Sequence, residues 1–153
     1  MMVPFAKPDI TEAEIEAVAE TMRSGWITTG PRCKRFEAEF SSYVGAKYAL
    51  GLSSCTAALH LALEAIGLTA EHEVIVPVST FAATAEVVRY AGARPVFVDV
   101  QPGTNNIDPA KVEEAITPRT RAIMPVHFAG QPCDMDPLLQ LAQAHGLYVV
   151  EDA

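Results

Sequence analysis

The stretch Glu73-Val74-Ile75-Val76-Pro77-Val78-Ser79-Thr80-Phe81-Ala82-Ala83-Thr84-Ala85-Glu86-Val87-Val88-Arg89-Tyr90-Ala91-Gly92-Ala93-Arg94-Pro95-Val96-Phe97-Val98-Asp99-Val100 decides the fold. Its ends carry short apolar runs, Val74-Ile75-Val76 and Val96-Phe97-Val98, the pattern of strands covered on both faces. Between them Phe81–Tyr90 has the apolar spacing of a helix, and Gly92 supplies its stop. Strand, helix, strand in this order is a βαβ unit, with parallel strands and a right-handed crossover.

The alternation continues on both sides. A strand at Tyr48–Ser53 and a helix at Thr56–Ile66, stopped by Gly67, precede the strand Glu73–Val78. After the strand Pro95–Val100 come a helix at Pro109–Ile116, a strand at Arg121–His127, and a helix at Met135–His145 with Asp134 as N-cap and Gly146 as stop. A last strand, Leu147–Glu151, runs almost to the end of the sequence. The expected fold is α/β, a mainly parallel sheet over residues 47–153 with helices on both faces.

Residues 1–46 read as a helical segment ahead of the sheet. Thr11-Glu12-Ala13-Glu14 fits a capping box, opening a helix to about Ser24. Gly25–Pro31 has loop chemistry, and Arg32–Val44 is a second helix with Phe36, Phe40 and Tyr43 on one face and Gly45 as its stop. There is no internal repeat, low-complexity run or interdomain linker. Glu151-Asp152-Ala153 leaves the last strand without a covering helix, so a chain truncated in mid-fold is expected. The alternative is a true C-terminus on an edge strand.

Half of the 153 residues are hydrophobic, a fifth are charged, and the mean hydropathy is slightly positive. That suits a globular domain with apolar surface left for a partner. The net charge of −8 disfavours nucleic acid and anionic membranes, both of which select basic faces. No signal-peptide pattern or membrane-length apolar run occurs. Cys33, Cys55 and Cys133 form no CxxC pair, which implies a reduced, cytoplasmic protein with neither a disulfide framework nor a zinc site.

In open α/β sheets ligands bind beyond the carboxyl ends of the strands. Those ends supply Ser53-Ser54-Cys55-Thr56, Ser79-Thr80-Phe81, Asp99, His127 and Asp152. Ser54, Cys55 and Thr56 pass from strand to helix, where free N–H groups and the helix dipole suit an anion such as phosphate. The same residues also suit a simple N-cap. Asp152 can accept from a protonated ring nitrogen, as pyridoxal phosphate (PLP) requires, or cap a following helix. Phe81 can stack on a flat heterocycle or belong to the core. Cys55 at a helix start with His127 as base would be a nucleophile pair. His60, His127 and His145 make no metal site, and neither GxGxxG nor GxxxxGK[ST] occurs.

Several stretches then resemble, in order, the DegT/DnrJ/EryC1/StrS family of PLP-dependent sugar aminotransferases. They are Pro8–Thr11, Ser24–Pro31, Ser54–Leu63, Pro95–Val100, Asn106–Pro109, Pro125–Pro132 and Glu151-Asp152-Ala153, spanning essentially the whole chain. The resemblance implies the large domain of a fold-type-I PLP-dependent transferase, a C-terminal small domain absent here, and a homodimer. It implies amino transfer from glutamate or glutamine to a keto group of a nucleotide-linked sugar, in cell-envelope polysaccharide biosynthesis. By motif position, Cys55 and Thr56 N–H groups would hold the PLP phosphate beside Ser54, Phe81 would stack on the ring, and Asp152 would pair with its nitrogen. Trp26, Thr28, Thr29, Gly30 and His127 would lie in the substrate region.

Two departures stand out. The family often has glycine where this chain has Cys55. The family's Schiff-base lysine lies after the Glu-Asp-Ala motif, and Lys7, Lys34, Lys47 and Lys111 do not occupy that position. The polypeptide alone is therefore expected to be inactive, with no catalytic residue of its own. Two alternatives remain: a sugar dehydratase of the same fold, in which histidine replaces the lysine, and a non-catalytic binding or dimerisation fragment.

Overall fold

The computed structural model describes residues 7–153. Two compact units, Met1–Gly51 and Leu52–Ala153, are each described by themselves.

In the first unit, α1 spans Glu12–Arg23 and α2 spans Pro31–Val44. The capping box at Thr11 is formed: its N–H donates to Glu14 Oε2 at 2.6 Å, and its Oγ1 accepts from the Ala13 N–H at 3.3 Å. Pro31 opens α2, where a missing N–H costs nothing, and Gly45 ends it in the left-handed region at φ 70°. Arg32 reaches back to Glu20 at 2.6 Å, tying the two helices. Phe36 and Phe40 stack at 5.7 Å on the expected face, but neither helix contains a buried residue.

The expected strand Tyr48–Ser53 is not formed: these residues are irregular. A strand exists through its ladder partner, and none of the described strands pairs with this segment. The Gly51 N–H goes instead to Glu37 Oε1 at 2.9 Å.

In the second unit, helices α3 (Cys55–Ala65), α4 (Ala82–Tyr90), α5 (Pro109–Ala115) and α6 (Met135–His145) alternate with strands. The strands are β1 (Glu73–Pro77), β2 (Arg94–Val98), β3 (Thr120–Ile123) and β4 (Tyr148–Val149). The sheet order is β2-β1-β3-β4, and every pairing is parallel. Strands β3 and β4 are shorter than their apolar runs. Pro125 has no N–H to give the ladder, so β3 ends at Ile123, and pairing resumes only as a single bridge between Val126 and Asp152. Val100 leaves the sheet for an antiparallel bridge to Ile107.

Helices cover both faces, as the doubly apolar strands require. Val74 and Val76 point into a core with Leu59 and Leu63 of α3 and Val87 and Val88 of α4. Ile75 points the other way, into a core with Val112 of α5, Leu138 and Ala142 of α6, and Ile123. Val74, Ile75 and Val76 are fully buried, each contributing about 1.5–3 kcal/mol. The chain moves from β1 to β2 in one direction through α4, then back across β1 to β3 and β4 through α5 and α6. A constant crossover hand puts the two sets of helices on opposite faces. The reversal lies between β1 and β3, and the crevice at their carboxyl ends is where such a sheet binds ligands.

At the opposite end of β1, Glu73 is 1% exposed. It accepts from Arg94 at 2.5 Å, from Thr117 Oγ1 at 2.7 Å, and from Arg119. Burial pushes its carboxyl up, but these donors outweigh burial and hold it below the ordinary carboxylate value.

Candidate functional site: the carboxyl rim of the sheet

The backbone of Asp152 is pinned beside the extension of β3. Its N–H donates to Pro125 O at 2.9 Å, and its carbonyl accepts from the His127 N–H at 3.0 Å. This places the carboxylate between the starts of two helices. Oδ1 accepts from the Cys55 thiol, at the first position of α3, at 3.4 Å. Oδ2 accepts from the Thr84 hydroxyl, in the first turn of α4, at 2.6 Å. Both helix starts carry partial positive charge, which suits an anion held there.

Ser54 is the N-cap of α3, its Oγ accepting from the Ala57 N–H at 3.1 Å, and its carbonyl accepts from the Ala58 N–H. The Cys55 and Thr56 N–H groups make no hydrogen bond among the described residues and stay available at the helix start. A phosphate accepts from such groups, and a ring nitrogen donates to such a carboxylate. The phosphate cradle and the carboxylate meet at the side chain of Cys55, so the two functions are within reach of one small molecule. The residues present therefore fit PLP.

Phe81 is the N-cap residue of α4 and is 80% exposed, an open aromatic ring at the rim. Its partner in the structure is local: its carbonyl accepts from the Thr84 N–H. Asp99 folds back on the backbone, its Oδ1 accepting from the Val100 N–H at 2.9 Å.

The nucleophile pair is not assembled. Burial, reinforced by the hydrogen bond to Asp152 and its charge, pushes the Cys55 thiol up, opposite to what an attacking thiolate needs. His127 is engaged elsewhere: Nδ1 accepts from the Cys133 N–H at 3.0 Å, and Nε2 lies 2.8 Å from Glu151 Oε2. With Nδ1 accepting, the neutral ring carries its proton on Nε2 and donates to Glu151.

Trp26, Thr28, Thr29 and Gly30 lie in the first unit, along a groove of about 460 Å³ that includes Thr21 and Arg32. The Trp26 indole N–H donates to Thr29 O at 3.0 Å, and the ring covers Gly30 so closely that any Cβ there would overlap it.

Two rim residues, Thr84 and Asn106, are not among the candidate site residues that the sequence offers. Thr84 is a fully buried hydroxyl between Ala83 and the Val87-Val88 pair, and a lone polar residue on a buried helix face is the signal that marks it. Asn106, 2% exposed, fastens the loop after β3: Nδ2 donates to Gln131 O and Pro132 O, and Oδ1 accepts from the Phe128 N–H. Its place in the Asn106–Pro109 motif was its only sign.

A parallel sheet with open N–H groups at a helix start beside a strand-end carboxylate defines an α/β domain with a candidate cofactor site at its carboxyl rim. Residues 8–153 match the DegT/DnrJ/EryC1/StrS aminotransferase family, and the chain belongs to it. Spore coat polysaccharide biosynthesis protein SpsC of Bacillus subtilis is 52% identical over 151 residues, covering 99% of this chain and 39% of that protein. The chain thus spans about two fifths of the length of this relative. Among solved structures, DesV of S. venezuelae superposes with TM-score 0.88 at 46% identity, covering 93% of this chain and 38% of that one. NtdA of Bacillus subtilis, with bound cofactor PMP, gives TM-score 0.88 at 41% identity over 94% of this chain and 34% of that one. The fold is that of a fold-type-I aminotransferase, and PLP is the cofactor expected of such a relative.

Proposed function

We propose that this chain supplies the PLP-holding wall of an aminotransferase that moves an amino group from glutamate or glutamine to a keto group on a nucleotide-linked sugar. The observation that carries the reading is the meeting of Asp152 Oδ1 with Cys55 Sγ at 3.4 Å, which joins the carboxylate to the free N–H groups of the α3 start.

In this reading Ser54, Cys55 and Thr56 bind the phosphate, whose charge the helix dipole and backbone N–H groups stabilise. Asp152 would accept a hydrogen bond from the ring N–H and so hold the proton on the nitrogen. Phe81 packs on the ring and excludes water from one face. Bound PLP supplies the electron sink for carbanion chemistry. The groove at Trp26, Thr28, Thr29 and Gly30 forms part of the substrate region, and His127 braces the rim through Glu151. A homodimer in the cytoplasm is the working assembly. No described helix is long and apolar enough to cross a membrane.

In this reading none of Lys7, Lys34, Lys47 and Lys111 serves as the Schiff-base lysine; Lys111 pairs with Glu114 at 2.9 Å on α5. The 153-residue chain should therefore bind PLP without turning over. Fluorescence titration tests this, with Asp152→Asn expected to weaken binding about tenfold or more through loss of a charge-assisted hydrogen bond. Binding unaffected by that substitution, or amino transfer by this polypeptide alone, overturns the reading.

A further inference from the structure

Thr84 is a hydroxyl with no exposed surface, in a helix face otherwise made of Ala83, Val87 and Val88. A buried helical threonine ordinarily satisfies itself on the carbonyl one turn back. The partly exposed Thr21 does this in α1, donating to Ala17 O at 2.8 Å. Thr84 does not. Its hydroxyl lies 2.6 Å from Asp152 Oδ2 and 2.7 Å from the hydroxyl of Thr80.

The proton count gives this chain a direction. A carboxylate only accepts, so Thr84 spends its one O–H on Asp152. Thr80 must then donate to Thr84 Oγ1. Thr80 and Thr84 flank Phe81, and Asp152 follows β4, so the chain of donors runs from the β1 end to the β4 end across the ligand crevice. The two carboxylate oxygens are left unequal. Oδ2 is held by a buried hydroxyl that is itself polarised by a second one. Among the described residues, Oδ1 accepts from the thiol of Cys55, a weak donor, at 3.4 Å.

We propose that Thr84, supported by Thr80, is a positioning residue that locks Asp152 through Oδ2 so that Oδ1 is presented to the protonated ring nitrogen of the cofactor. This rests on the PLP reading above. The donors fix the orientation of the carboxylate through Oδ2 and leave Oδ1 facing the crevice for a ring N–H. The thiol at Oδ1 gives way to the ring, whereas the Thr84 bond persists.

The test uses the 153-residue chain and pyridoxamine phosphate, which has no aldehyde to react with lysines. Its dissociation constant is measured by fluorescence across pH for the wild type, Thr84→Val, Thr84→Ser and Thr80→Val. Thr84→Val keeps the shape and removes the hydroxyl. It should weaken binding about tenfold at neutral pH, the range for a lost hydrogen bond to a charged group. The pH above which binding fades should also move down, because the ring nitrogen loses its proton more readily beside a less firmly held carboxylate. Thr84→Ser should behave as wild type, and Thr80→Val should move in the direction of Thr84→Val by a smaller factor. Circular dichroism confirms folding, and if Thr84→Val does not fold, the Thr80→Val and Thr84→Ser pair decides. Unchanged affinity and pH profile in the valine variants overturn the inference, as does a serine variant as weak as the valine one. A wild-type chain that binds nothing overturns the cofactor reading itself, and this inference with it.

Discussion

At the scale of single residues, Cys55 shows how a side chain is shaped by a neighbour distant in sequence. A cysteine at a helix N-terminus ordinarily has a lowered pKa. Here burial and the Asp152 carboxylate together raise it. The thiolate fraction at neutral pH is then smaller than for a free thiol, and reaction with iodoacetamide should be slow and rise only at alkaline pH. Asp152→Asn removes the charge, so alkylation of Cys55, followed by peptide mapping to separate it from Cys33 and Cys133, should begin at lower pH. An unchanged profile in that variant would break the assigned contact. Asp152 itself was legible as a strand-end carboxylate, but its partners were not. Thr84 lies 68 positions away in sequence and Cys55 lies 97 away.

At the scale of elements, most helices are where local chemistry puts them. The capping box at Thr11, the glycine stops at Gly45, Gly67 and Gly146, and the span Met135–His145 all depend on neighbours within a turn or two. Strands were less legible because their limits depend on partners: Tyr48–Ser53 has the composition of a strand and no ladder, and Pro125 cuts β3 short. Glu73 is the clearest element-scale device. It joins β1 to Arg94 of β2 and to Thr117 and Arg119 before β3. Its carboxyl is held below its ordinary value, so the stability it contributes is fully present above the unfolded-state value and is lost as pH falls through the folded-state value. Urea unfolding should show that loss in the acid range, and Glu73→Gln should both flatten it and cost about 1–3 kcal/mol at neutral pH. The substitution leaves Arg94 and Arg119 solvated, since their side chains are 59% and 62% exposed, so the cost stays below that of stranding a buried charge. An acid limb unchanged in the variant would remove Glu73 from this role.

At the scale of the whole molecule, apolar surface is the dominant feature. Ile15, Val18 and Met22 of α1, Phe36 and Phe40 of α2, and Phe97 of β2 are all about half exposed or more. Exposed apolar side chains on α1 and α2 of the first unit, and on β2 of the second, favour association. Static light scattering of the 153-residue polypeptide should show mass rising with concentration, and a monomer at all concentrations would contradict this.

The amino-acid sequence by itself determined the α/β class, the parallel alternation and most helix limits, because periodicity, caps and glycine stops act within a few residues. Tertiary structure alone decided which strands have partners, that Thr84 rather than solvent holds Asp152, and that the Cys55 thiol is raised rather than lowered. Those outcomes are set by groups that meet only when the sheet closes, through hydrogen bonds and charges whose reach is a few ångströms in space and has no counterpart in sequence distance.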